Sequence, residues 1–81
     1  MRIRVKLYAT FRLNYKNNYN VEKGLPLALP EGSTIHDVLE MLQIKPEKVS
    51  LLRINEISTR DFYTTVTDND VIDIFPFVGG G

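Results

Sequence analysis

Gly32-Ser33-Thr34-Ile35-His36-Asp37-Val38-Leu39-Glu40-Met41-Leu42-Gln43 decides the fold. Ile35, Val38, Leu39 and Leu42 fall at i, i+3, i+4 and i+7, which is one apolar stripe of a helix. Thr34 stands as N-cap with Asp37 at the third helical position, an aspartate version of the capping box. Asp37 and Glu40 also favour the positive start of the helix dipole. The spacing predicts a helix from Ile35 to about Gln43, and Pro46 forbids much extension. His36 takes the second helical position, on the exposed side. A helix with one apolar stripe needs an apolar surface to cover.

The flanking sequence supplies strands. Met1 to Tyr8 alternates, with Ile3, Val5 and Leu7 on one side and Arg2, Arg4 and Lys6 on the other. Period two is a strand with one buried and one wet face. Leu25, Leu27 and Leu29 alternate again, and Pro26 puts this second strand at a sheet edge or turns that position to solvent. Val49 to Ile54 reads as a third strand followed by a turn at Asn55-Glu56. Residues 57–67 hold a short helical turn and a short fourth strand, anchored by Phe62 or Val66. Thr67 to Asp70 is a polar turn, and Val71 to Phe77 is the last strand, with Ile72 and Ile74 facing opposite to Val71, Asp73 and Phe75. Residues 9–24 read as an irregular connection with one helical turn near Phe11 and Leu13, because asparagine favours turns. The expected core is Ile3, Val5, Leu7, Leu27, Val38, Leu39, Leu42, Leu52 or its neighbour, Ile72 and Ile74.

Strand, strand, helix, strand, short element, strand around one helix is an α+β, two-layer arrangement. It matches the β-grasp, or ubiquitin-like, shape: a mixed sheet packed on one main helix. The reading is one domain over residues 1–81, with a flexible glycine tail at 78–81.

Composition narrows the function. A chain of 81 residues leaves little room for a deep cleft with a lid. The absence of cysteine removes disulfides, thiolate zinc sites and a cysteine nucleophile. One histidine does not make a His-rich metal centre, so no metal site is expected. Ten basic and ten acidic residues give zero formal charge, without the basic excess a nucleic-acid binder uses against phosphates. No apolar run approaches the roughly 20 residues of a membrane span, and no signal-peptide core is present. These features describe a cytoplasmic globular domain, recognised by partners rather than catalytic alone. Charge is uneven along the chain. Residues 1–23 carry six basic side chains and one acidic, net +5, and residues 54–81 carry net −4. If the first and last strands pair, the imbalance cancels through cross-strand pairs; otherwise it forms patches that steer partners.

The sequence Asp68-Asn69-Asp70-Val71-Ile72-Asp73-Ile74-Phe75-Pro76-Phe77-Val78-Gly79-Gly80-Gly81 ties three glycines directly to a core strand. It resembles the tail of the MoaD/ThiS group of ubiquitin-like sulfur carriers. Ile3 to Arg12 is similar to the first strand and following segment of MoaD-type chains. Gly32 to Leu42 resembles their helix, and Ile54-Asn55 the end of their third strand. Phe77 stands where MoaD-type tails often carry a second proline.

The resemblance implies a chemistry. An E1-like partner enzyme adenylates the carboxylate of Gly81 with ATP, and sulfur displaces AMP to leave a thiocarboxylate. Glycine leaves that carbonyl unshielded, and Gly79 and Gly80 let the backbone thread a narrow channel. The carrier binds no cofactor; ATP is used by the partner. The acceptor is the molybdopterin synthase large subunit or another sulfur-accepting enzyme, with thiazole synthesis as an alternative pathway. Phe75, Phe77 and Phe11 are the candidate partner-binding residues. Two rivals remain: a ubiquitin-like modifier joined to lysine through Gly81, and a β-grasp interaction module with an inert tail.

Overall fold

The structure, a computed structural model, describes residues 1–13 and 24–77. The expected irregular connection over 14–23 and the glycine tail over 78–81 lie outside the described residues.

The elements follow the alternating and helical patterns. Strand β1 is Arg2–Leu7, a single turn of helix α1 is Thr10–Leu13, and β2 is Leu25–Ala28. Helix α2 is Ile35–Met41, a 3-10 turn covers Pro46–Lys48, and β3 is Val49–Ile54. A two-residue hairpin leads into β4, Ile57–Thr59, and the last strand β5 is Val71–Pro76. The sheet order is β2-β1-β5-β3-β4. β1 and β5 run parallel, and every other pairing is antiparallel. This is the expected mixed β-grasp sheet, with the first and last strands side by side and Pro26 on an edge strand.

The core lies between the sheet and α2. Ile3, Val5, Leu7, Leu52, Ile72 and Ile74 from the sheet meet Ile35, Val38, Leu39 and Leu42 from the helix side. Leu27 was expected among them but is only half-buried. β2 has β1 as its one neighbour, so its leucines sit at the margin of the sheet. Leu29, just past the strand, is buried instead. Val66 anchors the 57–67 segment, with Phe62 packed beside the core.

Both ends of α2 are set by specific hydrogen bonds. The Asp37 carboxylate accepts from the Thr34 backbone N–H at 2.8 Å, and the Thr34 hydroxyl accepts from the Asp37 N–H at 3.4 Å. That capping box is worth roughly 1 kcal/mol. The free N–H groups of the first turn find carbonyls in the returning loop: Ile35 donates to Thr64 and His36 to Phe62. The helix stops at Met41, two residues short of the expected end. Gln43 adopts φ +59, its N–H donates to the Glu40 carbonyl, and the Ile44 N–H reaches back to Leu39. This is a Schellman closure with glutamine in the left-handed position that glycine usually fills. It turns Ile44 into the core, where it is 7% exposed.

The Asn55-Glu56 turn has positive φ at both residues, +51° and +72°, the geometry of a tight hairpin between β3 and β4. The Asn55 amide donates to Asp70 at 2.9 Å, and the Val71 N–H donates to the Asn55 side-chain oxygen at 2.9 Å. Asp70 also accepts from the Thr67 N–H at 2.8 Å and the Thr67 hydroxyl at 2.9 Å. It thereby locks the 67–70 turn to the hairpin. Burial alone pushes the Asp70 carboxyl up, but the Thr67 backbone and the Asn55 and Thr67 side chains together hold it below its ordinary 3.8. The folded state therefore binds this proton less tightly than the unfolded chain. The resulting stability is present above 3.8 and is lost as pH falls through the depressed folded value. Asp70→Asn lowers the melting temperature near neutral pH. In paired thermal melts, the gap between variant and wild type narrows as pH drops below 3.8; a constant gap contradicts this role.

Candidate functional site

The face of the sheet opposite α2 carries the outward residues of three adjacent strands. On β5 these are Val71, Asp73 and Phe75, as the alternation predicts. Phe75 is half-buried rather than fully outward. Its ring stacks on Tyr8, with centroids 4.1 Å apart and planes 11° from parallel. The Arg53 guanidinium lies 5.2 Å from its centroid. Asp73 stands on the same face yet is only 5% exposed. Its carboxylate accepts from Arg53 Nη2 at 3.1 Å and from the Tyr8 hydroxyl at 3.3 Å. One acid and one aromatic ring thus tie β1, β5 and β3 together. Leu51 sits opposite Phe75 in the register and is 40% exposed, which extends the apolar surface.

Asp73 faces Lys6 across the parallel ladder, but its ion pair is with Arg53 on the other neighbour. The expected cancellation of charge between the chain's two ends is met only in part. Asp68 and Asp70 accept hydrogen bonds instead, Asp68 from the Arg2 backbone N–H at 2.7 Å. A hollow of about 410 Å³ on this face is lined by Lys6, Tyr8, Arg53, Asn55, Glu56, Val71 and Asp73. Its two cations are matched by two carboxylates.

The far end of β5 is where the chain leaves the sheet toward 78–81. Tyr8 N–H donates to the Ile74 carbonyl at 3.3 Å. Pro76, two residues on, has no N–H with which to continue that ladder. Opposite it, β3 carries a bulge between Val49 and Leu51. Ser50, the extra residue, donates its hydroxyl to the Pro76 carbonyl at 2.8 Å, with the Phe75 carbonyl at 3.3 Å. Phe77 follows, 57% exposed. It lines a groove of about 280 Å³ with Thr10, Phe11, Glu47, Lys48 and Pro76. The structure therefore brings Phe11 and Phe77 together at the root of the tail, while Phe75 belongs to the sheet face. Gly79, Gly80 and Gly81 lie outside the described residues.

His36 is half-exposed at the start of α2, stacked on Tyr63 with centroids 5.6 Å apart. Its Nδ1 is 3.9 Å from Glu40, and the ligand atoms of His36, Asp37 and Glu40 lie within 4.8 Å of one another. The Asp37 carboxylate already serves the helix cap, accepting from both the N–H and the hydroxyl of Thr34. This group reads as a helix start.

Sequence reasoning missed Tyr8, Arg53, Asp73 and Ser50 as site residues. A signal existed for Asp73: a carboxylate in the middle of an apolar central strand needs partners. Nothing in the sequence pointed to the bulge at Ser50.

Residues 15–81 match the model of the ThiS family, a span that takes in β2, α2, β3, β4, β5 and the three glycines. The chain belongs to the ThiS family. It is thus a ubiquitin-like member of the MoaD/ThiS sulfur-carrier group, and its fold is the family's β-grasp. No curated protein is matched by the sequence. Solved structures share the ThiS-family fold at low identity. A protein assigned as molybdopterin converting factor subunit 1 from Pyrococcus furiosus superimposes with a TM-score of 0.72. It is 22% identical, with 96% of this chain and 99% of that chain covered. SAMP1 from Haloferax volcanii gives 0.70 at 15% identity over 100% of both chains. A complex of subunits 1 and 2 of molybdopterin-converting factor from Helicobacter pylori gives 0.60 at 18% identity, again over 100% of both chains. Among the described residues, no helix is long and apolar enough to cross a membrane.

Proposed function

We propose that this chain carries sulfur on the α-carboxyl of Gly81 and delivers it in molybdopterin synthesis. A carboxylate oxygen of Gly81 attacks the α-phosphorus of ATP on an E1-like partner, and pyrophosphate leaves. The acyl-adenylate carbonyl is then open to a sulfur nucleophile, and AMP leaves. The carrier ends as a thiocarboxylate. It supplies no base or metal to these steps: its contribution is an unhindered acyl group and a body the partner recognises. The need for ATP puts its work in the cytoplasm.

The observation that carries this reading is the family match running through Gly79-Gly80-Gly81, joined to a strand whose ladder ends at Pro76. Four residues beyond Phe77 reach roughly 13–14 Å when extended, enough to pass from the carrier surface into a partner's buried site. The molybdopterin assignment draws support from the Helicobacter pylori complex, in which a subunit of this fold is bound to its subunit 2. The corresponding large subunit is the proposed acceptor here.

Phe77, Phe11 and Phe75 form the proposed contact surface, Phe77 at its centre because it is exposed beside the tail root. Phe75 is the poorer probe, since its ring holds Tyr8 and Arg53 and its loss also weakens the fold. Phe77→Ser weakens binding to the activating enzyme and the large subunit by about tenfold or more, as truncation of an aromatic anchor does. The melting temperature stays within a few degrees, because Phe77 is more than half exposed and lies outside the core. Calorimetric titration beside a thermal melt checks both; unchanged affinity moves the contact surface elsewhere.

A further inference from the structure

We infer that Ser50 is a positioning residue for the acyl-transfer chemistry, aiming the tail as it leaves the sheet. The inference rests on the proposal that Gly81 carries the reacting carboxyl. Three features meet at one peptide unit. Pro76 fixes its own φ and offers no N–H to β1. The bulge in β3 sets Ser50 out of the ladder, and bulges of this kind re-aim a side chain or end pairing. The hydroxyl so placed donates to the Pro76 carbonyl at 2.8 Å, with the Phe75 carbonyl at 3.3 Å.

With φ set by the ring, the orientation of the Pro76 carbonyl is set by ψ. Ψ of Pro76 is also the torsion that directs Phe77 and everything after it. Ser50 thus holds the remaining soft backbone rotation of Pro76, the residue from which Phe77 and the tail depart. A swing of about 10° there displaces the end of a 13–14 Å extended segment by roughly 2 Å. A partner grips the body at one end and the glycines at the other, so the span between them must be met by the direction of exit. Misplacing a reacting carbonyl by about 1 Å can cost on the order of a hundredfold in rate. Ser50 is half-buried and outside the apolar core, so this role is separable from folding.

The test uses the full chain with its activating enzyme, ATP and pyrophosphate exchange. Ser50→Val and Ser50→Thr are near-isosteres that differ in the hydroxyl. Ser50→Val lowers kcat by about tenfold or more with KM within about twofold, because the contact surface is untouched. Ser50→Thr recovers most of the loss. Ser50→Ala repeats the Val result without added bulk, and thermal melts of all three confirm folding. Equal kcat for the Val, Ala and Thr variants overturns the inference, as does a rise in KM alone. Deletion of Gly81 in the same assay separates this from the underlying reading. If that deletion leaves exchange intact, the Gly81 assignment fails; if it abolishes exchange while Ser50→Val matches wild type, only the role of Ser50 fails.

Discussion

Deleting Gly81 abolishes ATP–pyrophosphate exchange with the cognate activating enzyme and leaves the melting temperature of the carrier unchanged. The first half follows from reach. Removing one residue draws the carboxyl back by about 3.5 Å, far outside the tolerance of a near-attack geometry. Adding one residue after Gly81 has the same effect for a different reason, since a peptide bond then stands where the adenylate must form. The second half follows from packing. The described core is complete with Ile74, and the strand closes at Pro76. A deletion that also lowers the melting temperature by many degrees would mean that the tail is part of the fold. Exchange that survives the deletion would favour an interaction module with an inert tail.

Leu39→Ala has the largest effect on stability. Leu39 is 0% exposed and sits on α2, a helix of only seven residues whose other buried positions are Ile35 and Val38. Truncating a buried leucine costs about 2–5 kcal/mol through lost transfer energy and the cavity left behind. For a domain of this size each 1 kcal/mol corresponds to roughly 4–8 °C, so the melting temperature falls by about 8–40 °C. The carbonyl of Leu39 also receives the Ile44 N–H that closes the helix, and that bond is kept in the variant. The loss is therefore one of packing. A melt unchanged by this substitution contradicts the packing of helix on sheet.

Much of this was legible in the sequence, for identifiable reasons. β1 and β5 could be read because apolar residues alternate along them, whereas β3 was read from its apolar run, and its bulge hid which of Leu51 and Leu52 faces the core. The start of α2 could be read because Thr34 and Asp37 interact within one turn. Its end could not. Pro46 set an outer limit, but the chain turned earlier, at Gln43, a residue with no special preference for positive φ. The edge position of β2 was written in Pro26. The depth of Leu27 was not, because burial at a sheet margin depends on what lies above it.

The site divides in the same way. The glycine tail and its join to the last strand are contiguous in sequence, so the motif was visible. The surface around it is assembled from distant segments. Asp73 was placed on the outward face correctly, but its burial depends on Tyr8, just past β1, and on Arg53 of β3. Phe75 looked like a free anchor because its parity is outward, whereas Tyr8 stacks on it. Phe77 and Phe11 are 66 positions apart and meet only because β1 and β5 run parallel side by side. The bulge that points Ser50 at Pro76 is a one-residue irregularity of register with no signature in composition.

Sulfur carriage on Gly81 is tested most directly by the intact mass of the carrier, ending in Gly81, after incubation with its activating enzyme, ATP and a sulfur source. The expected result is a gain equal to one sulfur replacing one oxygen, located by fragmentation to Gly81 and absent when ATP is withheld. A mass that stays unchanged while the activating enzyme sulfurates a known carrier in the same mixture would contradict it, as would a sulfur-for-oxygen gain on a protein whose Gly81 is blocked by an uncleaved tag.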